Sequence, residues 1–249
     1  MGPSLCRARA VAVLKEFQER WDILIVGGGA TGLGAAVDAA GRGFKTLLIE
    51  QSDFGKGTSS RSTKLIHGGV RYLRSGEISL VRESLVERTR LLENAPHLVR
   101  PLPILLPTRS WWEQCYYGMG LKVYDCLAGR CGIGRSRWLS HSEVVKLIPG
   151  LGETGIQGGV LFYDAQFDDA RLSLNLAQTA VDEGATVLNY TRAESFVKEG
   201  GRLSGVVVRD LESGDAMELR TRSVINATGI FTDELRRMDD DSVGPLMQL

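Results

Sequence analysis

No window of this sequence reaches the roughly 18 consecutive apolar residues that a bilayer-spanning helix needs. Cysteine is sparse as well. Cys6, Cys115, Cys126 and Cys131 form no C-x-x-C pair and have no histidine at ligand spacing. That argues against zinc or a disulfide framework and for free thiols in a reducing compartment, so no metal is expected. Neither charge is in excess, with 30 basic against 30 acidic residues, and a neutral balance gives no general drive toward nucleic acid. Internal repeats and low-complexity tracts are lacking. The N-terminal stretch has no clean apolar core with a cleavage site, so a signal peptide is not expected there. Instead, Ser4 to Arg20 mixes Arg7, Arg9, Lys15, Arg20, Glu16 and Glu19 with Val11, Val13, Leu14 and Phe17. This reads as a short amphipathic helix that touches a membrane or the protein's own surface. At 249 residues and 43% hydrophobic content, the chain can bury the core of one large α/β domain or two smaller ones.

What is present is concentrated in the run Asp22-Ile23-Leu24-Ile25-Val26-Gly27-Gly28-Gly29-Ala30-Thr31-Gly32. An apolar strand enters a glycine-rich turn, and a helix follows. Gly27 suits the tight turn, Gly29 lets the backbone approach a pyrophosphate, and Gly32 lets the helix pack close to the sheet. A helix N-terminus then offers N–H groups and partial positive charge to the anion. A second apolar strand, Thr46 to Ile49, ends at Glu50, where a carboxylate can take the hydroxyls of an adenosine ribose. Glycine turns are common, but strand, turn, helix, stop at Gly41-Arg42-Gly43, strand and acid together predict a dinucleotide site.

Beyond Glu50 the pattern departs from a plain nicotinamide-nucleotide domain, which would continue with further βαβ units. Residues 52–60 are loop-like. Ile78, Val81, Leu85 and Leu92 recur at helical spacing over Glu77 to Asn94, and Pro96 closes that helix. Pro101, Pro103 and Pro107 make the next stretch extended. The aromatic-rich Trp111 to Leu127 reads as a helix packed on something apolar, most simply the core. Gly129 to Gly159 reads as irregular. A helix is expected from an Asp168 or Asp169 cap to Gly184. Five short strands follow, at Thr186–Asn189, Glu194–Lys198, Leu203–Arg209, Met217–Arg220 and Ser223–Asn226. The last enters a second small-residue turn, Ala227-Thr228-Gly229. A parallel sheet with insertions, a late β-meander and this turn resembles the FAD-binding domain of the glutathione-reductase type.

Between Phe54 and Gly76 there is no acid at all, yet Lys56, Arg61, Lys64, Arg71 and Arg74 occur among hydroxyl residues. Such a loop suits anions, and its place after the ribose acid is where a bound dinucleotide would extend. The sequence here carries a resemblance. Gly27 to Gly32, Asp38, Arg42-Gly43 and above all Thr58-Ser59-Ser60-Arg61-Ser62-Thr63-Lys64-Leu65-Ile66-His67-Gly68-Gly69-Val70-Arg71-Tyr72-Leu73 are similar to the FAD-dependent glycerol-3-phosphate dehydrogenases. So are Asn94 to Leu98, Met119 to Asp125, Asp168 to Leu172 and Asn226 to Gly229, several of them closer to mitochondrial-type than to short bacterial sequences.

The resemblance implies an α/β FAD-binding Rossmann-like domain of glutathione-reductase type with a partial α+β substrate domain. Its expected division is an N-terminal extension (1–20), a discontinuous FAD-binding domain (21–108 and 165–249) and an inserted part of the substrate domain (109–164). It implies oxidation of sn-glycerol 3-phosphate to dihydroxyacetone phosphate, with electrons passed through FAD to a membrane quinone. Gly27, Gly28, Gly29, Thr31, Gly32, Glu50 and Gln51 would hold the adenosine and pyrophosphate. Thr58, Ser59, Ser60, Lys64 and Leu65 would run along the pyrophosphate and flavin, and Ala227 and Gly229 would pass near it. His67, Arg71 and Tyr72 would face the substrate, with neutral His67 a candidate base and Arg71 a phosphate ligand. His97 and His141 read as structural. The implied setting is cytoplasmic or peripheral on an inner membrane, mitochondrial in a eukaryote, and a homodimer is left open. A family chain would be about double this length, so a truncated FAD-binding fragment without activity stays open. So does another flavin oxidase of the superfamily, acting on glycerol phosphate, an amine or an amino acid. The acid-free basic loop argues against the amine and amino-acid substrates.

Overall fold

The computed structural model describes residues 5–16, 19–151 and 155–246; Ser4 and Phe17 of the N-terminal stretch lie outside the described residues. The chain forms two compact units, Met1–Ser62 with Asp169–Leu249, and Thr63–Asp168. It enters the first unit through α1 (Arg7–Glu16), β1 (Trp21–Val26), α2 (Ala30–Gly41) and β2 (Thr46–Ile49). The second unit follows, with β3 (Leu65–Ile66), α3 (Val70–Arg74), α4 (Ile78–Asn94), β4 (Val99–Thr108), α5 (Trp111–Ala128), β5 (Arg137–Ser140), α6 (His141–Leu147) and β6 (Gly158–Phe167). The chain then returns to the first unit with α7 (Asp169–Asp182), β7 (Thr186–Leu188), β8 (Thr191–Glu199), β9 (Arg202–Asp210), β10 (Ala216–Asn226) and α8 (Thr232–Asp239).

The first unit is built on a six-stranded sheet of order β7-β2-β1-β10-β9-β8. Its strands β7, β2, β1 and β10 run parallel, with Ile25 of β1 beside Leu48 of β2 and Ile225 of β10. The apolar run of β1 is continuous because both faces are covered. Ile25 packs with Leu33 and Ala36 of α2 and Ala177 and Ala180 of α7. On the opposite face, Leu24 and Val26 pack with Ala10 and Leu14 of α1 and with Val206 and Val208 of β9. The N-terminal helix therefore docks on the protein's own surface. Arg7 clamps it, donating from Nη2 to Asp210 Oδ1 at 2.7 Å.

β10 belongs to two ladders. Residues 216–220 pair antiparallel with β9, and residues 221–226 pair parallel with β1. The sequence suggested two strands here. The structure joins them because Thr221, though polar, is fully buried with its hydroxyl donating to Ser223 O, so no turn is needed.

The second unit is organised by β6. It pairs antiparallel along its whole length with β4, and on its other edge with β5 at one end and β3 at the other. Val160 and Phe162 bury against Val81 and Leu85 of α4 and Leu121 and Tyr124 of α5, while Leu161 packs with Leu139 and with Val144 of α6. β4 is an edge strand, and its three prolines share one parity. The N–H that each lacks falls on the open side, which is how an edge tolerates proline. Because β4 and β3 pair with β6, the second unit begins at Thr63, well before the residue 109 where an insertion was expected. The stretch expected to be irregular holds β5 and α6. Ser140 starts that helix with a capping box, its Oγ accepting from the Glu143 N–H while Glu143 Oε2 accepts from the Ser140 N–H.

Candidate active site

Gly27 follows β1 with φ +116°, a conformation that side chains rarely adopt. A Cβ there would stand 2.3 Å from the Ala227 carbonyl oxygen, and one on Gly32 would stand 1.9 Å from the Gly27 carbonyl oxygen. The glycine turn and the Ala227 turn therefore lie backbone to backbone, joined by the Ala227 N–H donating to Val26 O at 2.8 Å. Gly29 is the N-cap of α2 and has no side chain to cap it. The first-turn N–H of Ala30 instead donates to Ser59 Oγ at 2.9 Å, which draws the 3-10 turn Thr58–Ser60 to the helix N-terminus.

Glu50 is fixed by the same turn. Its Oε2 accepts from the Gly28 N–H at 2.7 Å and its Oε1 from the Ser52 N–H at 2.8 Å. Each carboxylate oxygen has a second lone pair, so both can still accept from a diol. Gln51 and Ser60 are half-buried, and Thr31 and Thr58 are exposed. Gly229 opens a 3-10 turn at φ +59°, held by the Thr232 hydroxyl donating to its carbonyl. The loop leaving Glu50 is anchored by Asp169, which is 2% exposed. Its Oδ2 accepts from the Ser62 N–H and hydroxyl at 3.1 and 2.7 Å, a role the sequence showed only as a helix cap.

The other candidates, Lys64, Leu65, His67, Arg71 and Tyr72, belong to the second unit. Lys64 has φ +61°, unusual for a side chain, and its carbonyl accepts from Phe167 N–H. Leu65 pairs with Gln166. His67, Arg71 and Tyr72 are exposed, the last two on the single-turn helix α3. Gly68 lies between β3 and α3. A Cβ there would meet the Tyr124 hydroxyl at 1.8 Å.

Beneath Gly68 is a cluster that sequence reasoning missed. Asp164 Oδ1 accepts from the Gly68 N–H at 2.8 Å and from Arg88 Nη1 at 2.9 Å, and both side chains are 1% exposed. Arg88 also donates to the Tyr124 hydroxyl and to the Cys131 and Tyr163 carbonyls. The available signals were an arginine in line with Val81 and Leu85 on the buried face of α4, and an acid inside the apolar run of β6. Burial first, then the Asp164 carboxylate, holds the Tyr124 phenol well above its ordinary value, against the opposing Arg88 charge. The folded phenol thus keeps its proton where the unfolded one, at 10.0, loses it. Stability from this group is whole below that pH and falls as pH rises beyond it. Alkaline denaturation monitored by circular dichroism is expected to be steeper for the wild type than for Tyr124→Phe.

Helix α5 departs from expectation. Of its five aromatics only Tyr124 is buried, while Trp111, Trp112, Tyr116 and Tyr117 are exposed. Trp112, Tyr116, Met119 and Val123, spaced by four, three and four residues, form one exposed apolar stripe. The buried face of α5 is instead Gly118, Leu121, Tyr124 and Ala128, the last three packed with Val81, Leu85, Val160 and Phe162, while the half-exposed Trp138 indole lies 2.0 Å from where a Gly118 Cβ would be.

A glycine turn at a helix N-terminus, a fixed acid at the end of the next strand and a second turn behind it define a dinucleotide-binding oxidoreductase fold. The chain belongs to the family described as FAD dependent oxidoreductase, whose profile matches residues 22–249. It is 47% identical over 241 residues to the mitochondrial glycerol-3-phosphate dehydrogenase of Rattus norvegicus, covering 92% of this chain and 33% of that protein. It is 44% identical to glycerol-3-phosphate dehydrogenase 2 of Mycobacterium bovis, covering 96% of this chain and 40% of that protein. The glycerol-3-phosphate dehydrogenase from Bacillus halodurans, solved in complex with FAD, superposes with a TM-score of 0.72 at 33% identity, over 94% of this chain and 39% of that one. The chain thus spans about a third of the length of the rat relative, less than the half expected from sequence. The first unit is the FAD-binding Rossmann-like fold.

The residues present fit FAD. A helix N-terminus built on a glycine N-cap, with the Ser59 hydroxyl at its first turn, suits a pyrophosphate, and Glu50 keeps acceptor capacity for a ribose diol.

Proposed function

We propose that this chain supplies the cofactor-holding part, and part of the substrate-facing part, of an enzyme that oxidises sn-glycerol 3-phosphate to dihydroxyacetone phosphate. The observation that carries the reading is Glu50 locked to the Gly28 N–H beside a glycine turn backed by Ala227. The relatives' names supply the substrate class. Bound FAD supplies a hydride acceptor. Glu50 holds the ribose hydroxyls. The Gly27–Gly32 turn, with Thr31, Thr58, Ser59 and Ser60, would hold the pyrophosphate, and Lys64 and Leu65 are the second unit's candidate cofactor residues. Gln51, Ala227 and Gly229 complete the backbone walls. His67 takes the C2 hydroxyl proton at Nε2 as C2 gives up its hydride. Arg71 pairs with the phosphate through its planar fork, and Tyr72 donates to a phosphate oxygen. No residue between Phe54 and Gly76 carries a negative charge to repel that phosphate.

The test is flavin retention and dye reduction by the chain. Glu50→Gln is expected to weaken FAD binding about tenfold, the value of one lost charged acceptor, measured by quenching of flavin fluorescence. Reduction of a dye with an amino acid but not with glycerol 3-phosphate would overturn the substrate assignment.

We propose that the electrons pass to a quinone, a lipid-soluble acceptor that brings the enzyme to a bilayer. No described helix is long and apolar enough to cross one. We assign the contact to the exposed stripe of α5, whose tryptophan and tyrosine side chains suit the lipid–water interface. Replacing Trp112 and Tyr116 together by serine is expected to abolish co-sedimentation with vesicles and leave the fold unchanged. Equal sedimentation of both forms would count against this contact.

A further inference from the structure

Asp164 has two oxygens in unequal surroundings. Oδ1 accepts from Gly68 N–H and Arg88 Nη1, with the Tyr124 hydroxyl at 3.5 Å. Oδ2 is buried and has no hydrogen-bond partner among the described residues. A buried carboxylate oxygen without a donor is costly. His67 Nδ1 lies 3.7 Å from this oxygen, while 43% of the His67 side chain stays exposed. That separation is only a few tenths of an ångström beyond hydrogen-bond reach. The same carboxylate already holds the N–H of the next residue, Gly68, so ring and backbone are governed by one anchor.

We infer that Asp164 is a positioning residue for His67. Its Oδ2 accepts the Nδ1–H of the neutral imidazole and so selects the tautomer whose free lone pair is on Nε2. This inference rests on the reading of His67 as the acceptor of the substrate proton. A ring carrying its hydrogen on Nε2 could not accept there. Asp164 stands on β6, and the charged and titratable groups packed on it besides His67 are Arg88 from α4 and Tyr124 from α5. Arg88 and Tyr124 address Oδ1 and leave Oδ2 to the histidine. His67 lies at the exposed end of this chain of contacts and Arg88 at the buried end.

The test is long-range proton–nitrogen correlation spectroscopy on histidine-labelled protein at alkaline pH, where imidazoles are neutral. Three histidines are present, and His67→Asn assigns the signal. The wild-type ring is expected to carry its hydrogen on Nδ1. Asp164→Asn keeps an oxygen for Gly68 and Arg88 but turns an amide donor toward the ring, and is expected to switch the tautomer to Nε2–H. Asp164→Glu is expected to keep Nδ1–H. A wild-type ring that is mostly Nε2–H, or an unchanged tautomer in folded Asp164→Asn, overturns the inference. If Asp164→Asn fails to fold, the wild-type tautomer decides alone. A His67→Asn protein that reduces dye at the wild-type rate would remove the proton-acceptor reading of His67, whatever the tautomer, so the two failures are separate.

Discussion

Gly27→Ala is expected to abolish flavin binding and to destabilise the first unit by about 3 kcal/mol or more, through strain in a left-handed conformation and collision with a neighbouring backbone. The φ of +116° is the first penalty. The second is the Ala227 carbonyl oxygen, 2.3 Å from the new Cβ. That atom is main chain on β10's exit and cannot swing aside as a side-chain tip would. Relief would part the two turns and break the Ala227 N–H to Val26 O bond. At about 2–4 °C per kcal/mol for a chain of this size, the melting temperature should fall by roughly 6–12 °C. Calorimetry gives the stability and flavin fluorescence the binding. Flavin retention at wild-type affinity would show that the turn does not hold the pyrophosphate.

Arg88→Met is the second large effect. The variant leaves Asp164 buried and charged without its cation, at a cost of about 3–5 kcal/mol. Arg88 fills its site with a long stem, which methionine largely replaces, so the loss reports charge more than volume. The double variant Arg88→Met/Asp164→Asn is expected to recover part of the stability, because no unpaired charge then remains. Urea unfolding of the two single variants and the double completes the cycle. Strict additivity of the two losses would mean that the pair is not coupled.

The parts read correctly from sequence are those written locally. Strand β1, the glycine turn, helix α2 and strand β2 lie within a short stretch, where an apolar run buried on both faces and a φ that only glycine takes readily leave their mark. The Ser140 capping box was equally local, yet the glycines around it suggested an irregular segment. The Asp164–Arg88–Tyr124 cluster was missed because it unites three elements remote in sequence, and neither the arginine in line with Val81 and Leu85 nor the acid in the apolar run of β6 shows by itself that the two meet. The aromatic helix misled for a physical reason. Rings favour burial, but the inward face of α5 is taken by Gly118, Leu121, Tyr124 and Ala128, and the remaining rings were left outside. β10 was read as two strands because polar Thr221-Arg222 interrupts its apolar pattern, although only Thr221 is buried.

The double membership of β10 also sets an order of assembly. Trp21 pairs with Thr221 and Val26 with Asn226, so the backing of the glycine turn is synthesised roughly 200 residues after the turn itself. The second unit, by contrast, is a continuous stretch ending at Asp168. A chain emerging from the ribosome has that unit complete while β1 still lacks its central neighbour and exposes an apolar edge. The inserted unit is therefore fully synthesised before its host. The cofactor fold is the late product of translation, although its signature comes first in the sequence.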